Sequence, residues 1–266
     1  IPLTFEVLTD GYLEWTINQD FSSATRTIEY KKNNGEWTEI TSASYGSAPQ
    51  IPVVAGDKVQ FRGDNAGYYG SNSLYSKFVT SVACNVNVYG NIMSMINSSG
   101  FAETYDFTEA YALAYLFTSC NIISAENLML PATGLTNNCY EGLFIMNRRL
   151  LKSPKLLPAT TLADGCYMAM FNSADNLSTS PILPANVLTE RCYFKLFAGC
   201  TGLTAITCLA TDISADRCTF NWVGGRPMEG YSVYSTGVFT KNPNMTSWTD
   251  GPDGIPIGWT VIDAQL

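Results

Sequence analysis

Hydrophobic and polar residues alternate with a period of two through the first third of the chain. Leu3, Phe5 and Val7 are separated by polar positions, and the same pattern returns around Trp15 and again at 82–88. This alternation is typical of strands with one buried face. The Asn33–Gly35 segment, flanked by strand-like stretches at 25–32 and 36–40, predicts a tight hairpin, since Asn and Gly tolerate positive φ. Residues 1–88 are therefore predicted to form a β-sandwich domain of immunoglobulin or fibronectin-III type.

A different pattern begins after residue 88, where one phrase is repeated. Leu-Pro-Ala occurs at 130–132, 157–159 and 183–185, and each copy is followed by a Cys-Tyr pair and then a Phe. The three cysteines, Cys139, Cys166 and Cys192, lie 27 and 26 residues apart, and Cys218 follows after another 26. A fixed period in this range predicts a solenoid, in which each unit buries its apolar face against the next.

Within each unit the spacing suggests a strand followed by a short helix. The proline after each Leu ends the strand because it donates no ladder hydrogen bond, and Cys166 and Met170, four residues apart, fit one helical face. The fold-class prediction is a β-sandwich followed by an α/β leucine-rich repeat stack over 89–266. A short helical cap is predicted at 91–96 and a C-terminal cap at 209–266, because a solenoid must cover its open ends.

The composition limits the range of partners. Fifteen basic residues against 23 acidic ones give a net charge of −8, which argues against nucleic acid, and no apolar run is long enough to span a bilayer. The chain has no histidine, so the usual catalytic triads are excluded and no Cys/His zinc site can form. No cofactor or metal is predicted.

The cysteines allow two interpretations. Their even number, eight, fits disulfides in an exported protein. Cysteines in one repeat column, however, point in parallel, whereas a disulfide needs converging side chains. Buried, reduced thiols that pack as small hydrophobes are the favoured interpretation.

The repeat phrases resemble those of BspA-like leucine-rich repeat proteins from the surfaces of anaerobic gut and oral bacteria. The resemblance rests on Leu-Pro-Ala-Thr-Thr-Leu-Ala-Asp-Gly-Cys-Tyr at 157–167, on Phe171, and on Phe-Ala-Gly-Cys-Thr-Gly-Leu at 197–203. It covers about 90–266 and departs from the family pattern at 147–150. It implies an exported protein, anchored at the cell surface as a lipoprotein or by other means, that binds macromolecules in adhesion and has no shared catalytic motif.

Two groups of residues are candidate ligand contacts. The tyrosines that follow the repeat cysteines should lean outward and could bind protein or sugar; alternatively they pack between adjacent turns with their hydroxyls in water. A local basic patch on this acidic protein could steer an acidic partner, or could be an ordinary solvated turn. The candidate residues are Tyr140, Tyr167, Tyr193, Arg148, Arg149 and Lys152, with Lys155 completing the basic patch.

The predicted function is non-enzymatic recognition or adhesion at the cell surface through the repeat surface. The first alternative is glycan capture for nutrient uptake, for which Trp222, Tyr231, Tyr234 and Trp248 could form an aromatic platform, although both tryptophans are more typical of core residues of the cap. The second is a hydrolase that uses carboxylates such as Glu103, Asp106 and Glu109; their spacing of three residues is more typical of a solvated face.

Overall fold

A computed structural model of the chain describes residues 1–18, 25–44, 46–70, 74–224 and 236–265. In these ranges the secondary structure consists of β-strands, turns and two short 3₁₀ helices, Ile92–Met95 and Phe101–Glu103. The strands are β1 (Leu3–Val7), β2 (Gly11–Ile17), β3 (Thr27–Lys32), β4 (Thr38–Thr41), β5 (Ala43–Ser44), β6 (Gln50–Val53), β7 (Lys58–Arg62), β8 (Ser76–Thr80), β9 (Val86–Asn91), β10 (Ile122–Ser124), β11 (Leu128–Met129), β12 (Thr179–Leu183), β13 (Ala205–Cys208), β14 (Val238–Lys241) and β15 (Thr260–Asp263).

The strands form three sheets. The largest has the order β10-β9-β1-β7-β3-β4, with β11 also paired to β9. In the second, β2 pairs with β5, β6 and β8. The third contains four parallel strands in the order β12-β13-β14-β15. The predicted hairpin is confirmed: β3 and β4 pair antiparallel, and Asn33 at its turn has a φ of 53°.

An aromatic cluster joins the first two sheets. Phe78 on β8 lies at its centre. Its ring centroid is 5.0 Å from that of Phe5 and 4.6 Å from that of Phe61, both in the largest sheet, and 4.7 Å from that of Trp15 on β2. Phe117, in the first repeat, lies 5.9 Å from Phe78. The core beneath these sheets is thus continuous with the core of the repeats. The predicted domain boundary after residue 88 falls inside β9, which pairs with β1 and also with β10 and β11.

The predicted fold class is wrong for the repeat region. The described residues contain no α-helix, and the fold is all-β with several sheets rather than an α/β leucine-rich repeat solenoid. The strands of the first repeats join the N-terminal sheet, whereas β12–β15 form a separate sheet. Between them, strand-type pairing of successive repeats in the described residues is limited to isolated bridges such as Ser124–Lys152 and Leu156–Ile182. No single sheet therefore runs through all the repeats.

The segment that contains each Cys-Tyr pair forms a chain of tight turns instead of a helix. Every fourth residue has positive φ, at the same place in successive repeats. Such a residue cannot continue a right-handed helix, because the left-handed region interrupts the α-helical hydrogen-bond ladder. The positions are Tyr111, Tyr115 and Ser119; Asn138, Gly142 and Met146; Gly165, Ala169 and Ser173; Arg191, Lys195 and Gly199; and Arg217 and Asn221.

Backbone hydrogen bonds show what replaces the helix. The N–H groups of Tyr140 and Gly142 donate to the carbonyls of Cys166 and Met168 in the next repeat, at 2.9 and 2.8 Å. The intervening N–H of Glu141 donates back three residues within its own turn. Alternate backbone amides thus donate to the neighbouring repeat instead of to their own segment. The four-residue spacing of buried side chains therefore comes from contacts between repeats and not from a helix.

Side chains at equivalent positions pack in columns. One column consists of phenylalanine rings, with centroids 5.3, 5.4 and 5.7 Å apart in the order Phe117, Phe144, Phe171 and Phe197.

All eight cysteines are buried and free, so the prediction of reduced thiols is confirmed. Burial raises the pKa of these thiols, to about 12 for Cys139 and Cys192, because the charged thiolate is poorly solvated there.

Candidate functional site

The predicted tyrosine column lies inside the protein. Tyr140, Tyr167 and Tyr193 are each at most 1% exposed. Their rings stack between repeats, with centroids 5.7 and 6.2 Å apart, and Trp222 continues the column. Of the two predicted directions, the outward one is wrong, and the rings pack between adjacent turns as the alternative predicted. A side chain this deeply buried makes no direct contact with a ligand.

The tyrosine hydroxyls are not in water either. Those of Tyr140 and Tyr167 are buried and have no hydrogen-bond partner, and burial raises the pKa of both phenols well above the ordinary value. The proposed platform of aromatic residues also fails in part: Trp222 is fully buried and donates its indole N–H to the Gly254 carbonyl at 2.8 Å. Tyr231 and Tyr234 lie outside the described residues.

The basic patch is exposed, and the structure divides it. Arg148 approaches Asp175 at 4.0 Å, and Arg149 donates to the side-chain oxygen of Asn85. Lys152 pairs with Glu126 at 3.0 Å. This contact holds the pKa of the Glu126 carboxyl below its usual value. Lys155 lines a concave surface, and Lys152 reaches that surface through its partner Glu126, whereas Arg148 and Arg149 contact other residues.

That surface is an apolar groove across two successive repeats, here called the sheet groove. Its volume is about 540 Å³. Lys155 forms part of its wall, and Glu126, with its partner Lys152, stands at the rim. The residues that line the groove are Glu126, Asn127, Leu128, Met129, Leu130, Pro131, Lys155, Leu156 and Pro158.

An exposed apolar column passes through the sheet groove. Met129, Leu156 and Ile182 occupy the position before the buried Leu of each Leu-Pro-Ala phrase, and each is more than 40% exposed. Because side chains along a strand alternate between faces, the residue before a buried Leu points outward. In the next strand, β13, the residue paired with Ile182 is Thr207. Contiguous exposed apolar residues are typical of interaction sites.

Reasoning from the sequence missed this column, although its signal was present. Each repeat places a large apolar residue directly before a Leu that the strand buries, and in a strand these two side chains cannot face the same way. The basic residues of 148–155 form one candidate patch in the sequence, whereas only the last of them, Lys155, lines the groove.

Other kinds of site are not formed by the described residues. Within them, no group of three or more Asp, Glu or Cys side chains is placed to hold a metal ion. No helix in the same ranges is both long and apolar enough to cross a membrane. The chain matches no family model, no curated protein and no solved structure.

Proposed function

We propose that this protein is a non-enzymatic recognition protein that binds another macromolecule through the sheet groove. The observation that carries the proposal is the exposed apolar column of Met129, Leu156 and Ile182, with Lys155 at its side. The backbone already holds these side chains outward, on β11, on β12 and at the Leu156–Ile182 bridge, so binding need not order the backbone that carries them. The resemblance of the repeat phrases to BspA-like surface proteins supports action outside the cell, at the bacterial surface.

The chemistry of the groove defines the partner. Its floor and walls are mainly leucine, methionine and proline, and its cationic group is the Lys155 ammonium. The Glu126 carboxylate pairs with Lys152 and also interacts electrostatically with Lys155. An extended protein segment with apolar side chains and at least one carboxylate matches this lining. The carboxylate would pair with Lys155, and the apolar side chains would cover Met129 and Leu156.

The test is a binding assay on immobilised host matrix proteins and on intact bacterial cells. We expect saturable binding to at least one of these, which Leu156→Asp and Lys155→Glu each weaken by about tenfold or more, a loss of about 1.4 kcal/mol. Val82→Asp is the matched control for Leu156→Asp: Val82 is 86% exposed, does not line the groove, and receives the same change of charge.

Binding that neither groove variant alters, or that Val82→Asp reduces equally, would contradict the assignment to the groove. Absence of saturable binding to every matrix protein and cell type tried would contradict the recognition function itself. Protease accessibility on intact cells tests the proposed location, since a surface protein is cleaved before the cells are lysed.

A further inference from the structure

A second concave surface lies on the chain of turns, away from the strands of the sheet groove. It follows the column of positive-φ positions Tyr111, Asn138, Gly165 and Arg191, one from each successive repeat. Tyr111 and Arg191 carry large side chains, whereas Gly165 between them has none. The result is a hollow of about 300 Å³, here called the Gly165 hollow.

Glycine keeps the floor of this hollow open. Gly165 has a φ of 62°, which disfavours a side chain, and a Cβ there would lie 2.4 Å from the side-chain nitrogen of Asn138. The equivalent positions Tyr111, Asn138 and Arg191 carry side chains, so the space at Gly165 is a local property of this repeat.

The aromatic wall is held in place by further tyrosines. The Tyr111 ring stacks on Tyr69 with a centroid separation of 4.5 Å and an interplanar angle of 17°. Tyr75 and Tyr115 form a second stacked pair beside it, at 4.8 Å. The hydroxyl of Tyr115 donates to the buried carboxyl of Glu141. Such packing fixes the orientation of Tyr111 before any ligand arrives, and preorganisation of this kind favours binding.

Apart from Met168, the other side chains that line the hollow are polar and mixed in character. Asn137 supplies a donor and an acceptor, and the carboxylates of Asp164 and Glu190 accept hydrogen bonds. Arg191 donates, and its Nε lies 3.5 Å from the Glu190 carboxylate. Two carboxylates against one guanidinium disfavour an anion, and the described acidic groups do not form a metal cluster.

We propose that the Gly165 hollow binds a neutral saccharide. A pyranose has an apolar C–H face suited to the Tyr111 ring and hydroxyls that both donate and accept, which matches the alternating amides, carboxylates and guanidinium around it. The volume of 300 Å³ lies at the lower end of small-ligand pockets, about 300–1,000 Å³, and suits one or two sugar units. The site shares no residue with the sheet groove.

The test is titration of the full chain with a panel of neutral mono- and disaccharides, followed by NMR or calorimetry. We expect saturable binding of at least one sugar, weakened about tenfold or more by Tyr111→Ala, because that change removes the ring on which the apolar face of the sugar would stack. Tyr111→Phe keeps the ring and should retain binding. Asp164→Asn removes an acceptor without a change of shape and should also weaken binding.

Tyr105→Ala is the matched control, because Tyr105 is an exposed tyrosine outside the hollow. A panel with no saturable binding would overturn the proposal, and so would equal losses in Tyr111→Ala and Tyr105→Ala. If Tyr111→Ala unfolds, the Asp164→Asn and Tyr111→Phe variants still decide the outcome. Leu156→Asp should leave sugar binding unchanged, so failure here is distinguishable from failure of the sheet groove.

Discussion

Replacement of Phe171 by Ala tests the stacking of the repeats most directly. Phe171 is fully buried, and its ring lies 5.4 Å from Phe144 at an angle of 3° and 5.7 Å from Phe197 at 12°. A phenylalanine buries about 150–250 Å². At about 25 cal/mol per Å², this area corresponds to an upper limit of about 4–6 kcal/mol.

The burial that alanine retains and the ring contacts that it loses narrow the expected loss of unfolding free energy. Alanine retains the Cβ and part of the burial, whereas each lost stacking contact costs about 0.5–1.5 kcal/mol. We therefore expect Phe171→Ala to lower the free energy of unfolding by about 3–5 kcal/mol, as is usual for Phe→Ala in a core that cannot collapse. The measurement is urea denaturation followed by circular dichroism at equilibrium.

Phe220→Ala provides the control for this experiment. Phe220 also stacks on a neighbouring ring, Phe194, at 5.3 Å, but it is 45% exposed. We expect its replacement to cost less than about 1 kcal/mol. A loss below about 1 kcal/mol for Phe171→Ala, or equal losses for the two variants, would refute the view that the phenylalanine column forms the interior of the repeats.

Two other predictions follow from buried polar groups. Tyr167→Phe removes a hydroxyl without a partner and should raise the free energy of unfolding by about 1–3 kcal/mol. Tyr68→Phe should lower it by about 1 kcal/mol, because the Tyr68 hydroxyl donates to the Met95 carbonyl at 2.6 Å. A loss of stability of Tyr167→Phe in urea denaturation would show that the Tyr167 hydroxyl has a hydrogen-bond partner. Burial raises the pKa of the Cys139 thiol from 9.0 to about 12, so above pH 9 the unfolded chain loses this proton before the folded protein does. Stability should therefore fall between about pH 9 and 12, by about 1.4 kcal/mol per pH unit for each such thiol. A smaller slope is expected in Cys139→Ala, and a flat profile in urea melts over this range would contradict the buried-thiol assignment.

Part of the candidate sites could be predicted from sequence. The basic residues were recognised, and Lys155 does line the sheet groove. The sequence left two directions open for Tyr140, Tyr167 and Tyr193, outward or between adjacent turns, because the direction of a side chain in a row of turns depends on which φ values are positive. Those values are not readable from residue type here, since Tyr, Asn, Arg and Lys all occupy such positions.

The Gly165 hollow illustrates the same limit. It exists because Tyr111, Gly165 and Arg191, far apart in the chain, become neighbours when repeats stack. The repeat period aligns these positions in a column, but only the turn geometry shows that the column faces outward.

By itself the sequence determined that the repeat phenylalanines form an interior column. Equal spacing places Phe144, Phe171 and Phe197 in equivalent environments, and any stacked arrangement must bury them. The tertiary structure decided how the backbone between them is arranged. A spacing of four residues suits an α-helix and a row of turns equally well, and the choice depends on whether each amide finds its acceptor within its own segment or on the adjacent repeat. In this protein every second amide bonds to the adjacent repeat, which removes the helix and turns the tyrosines inward.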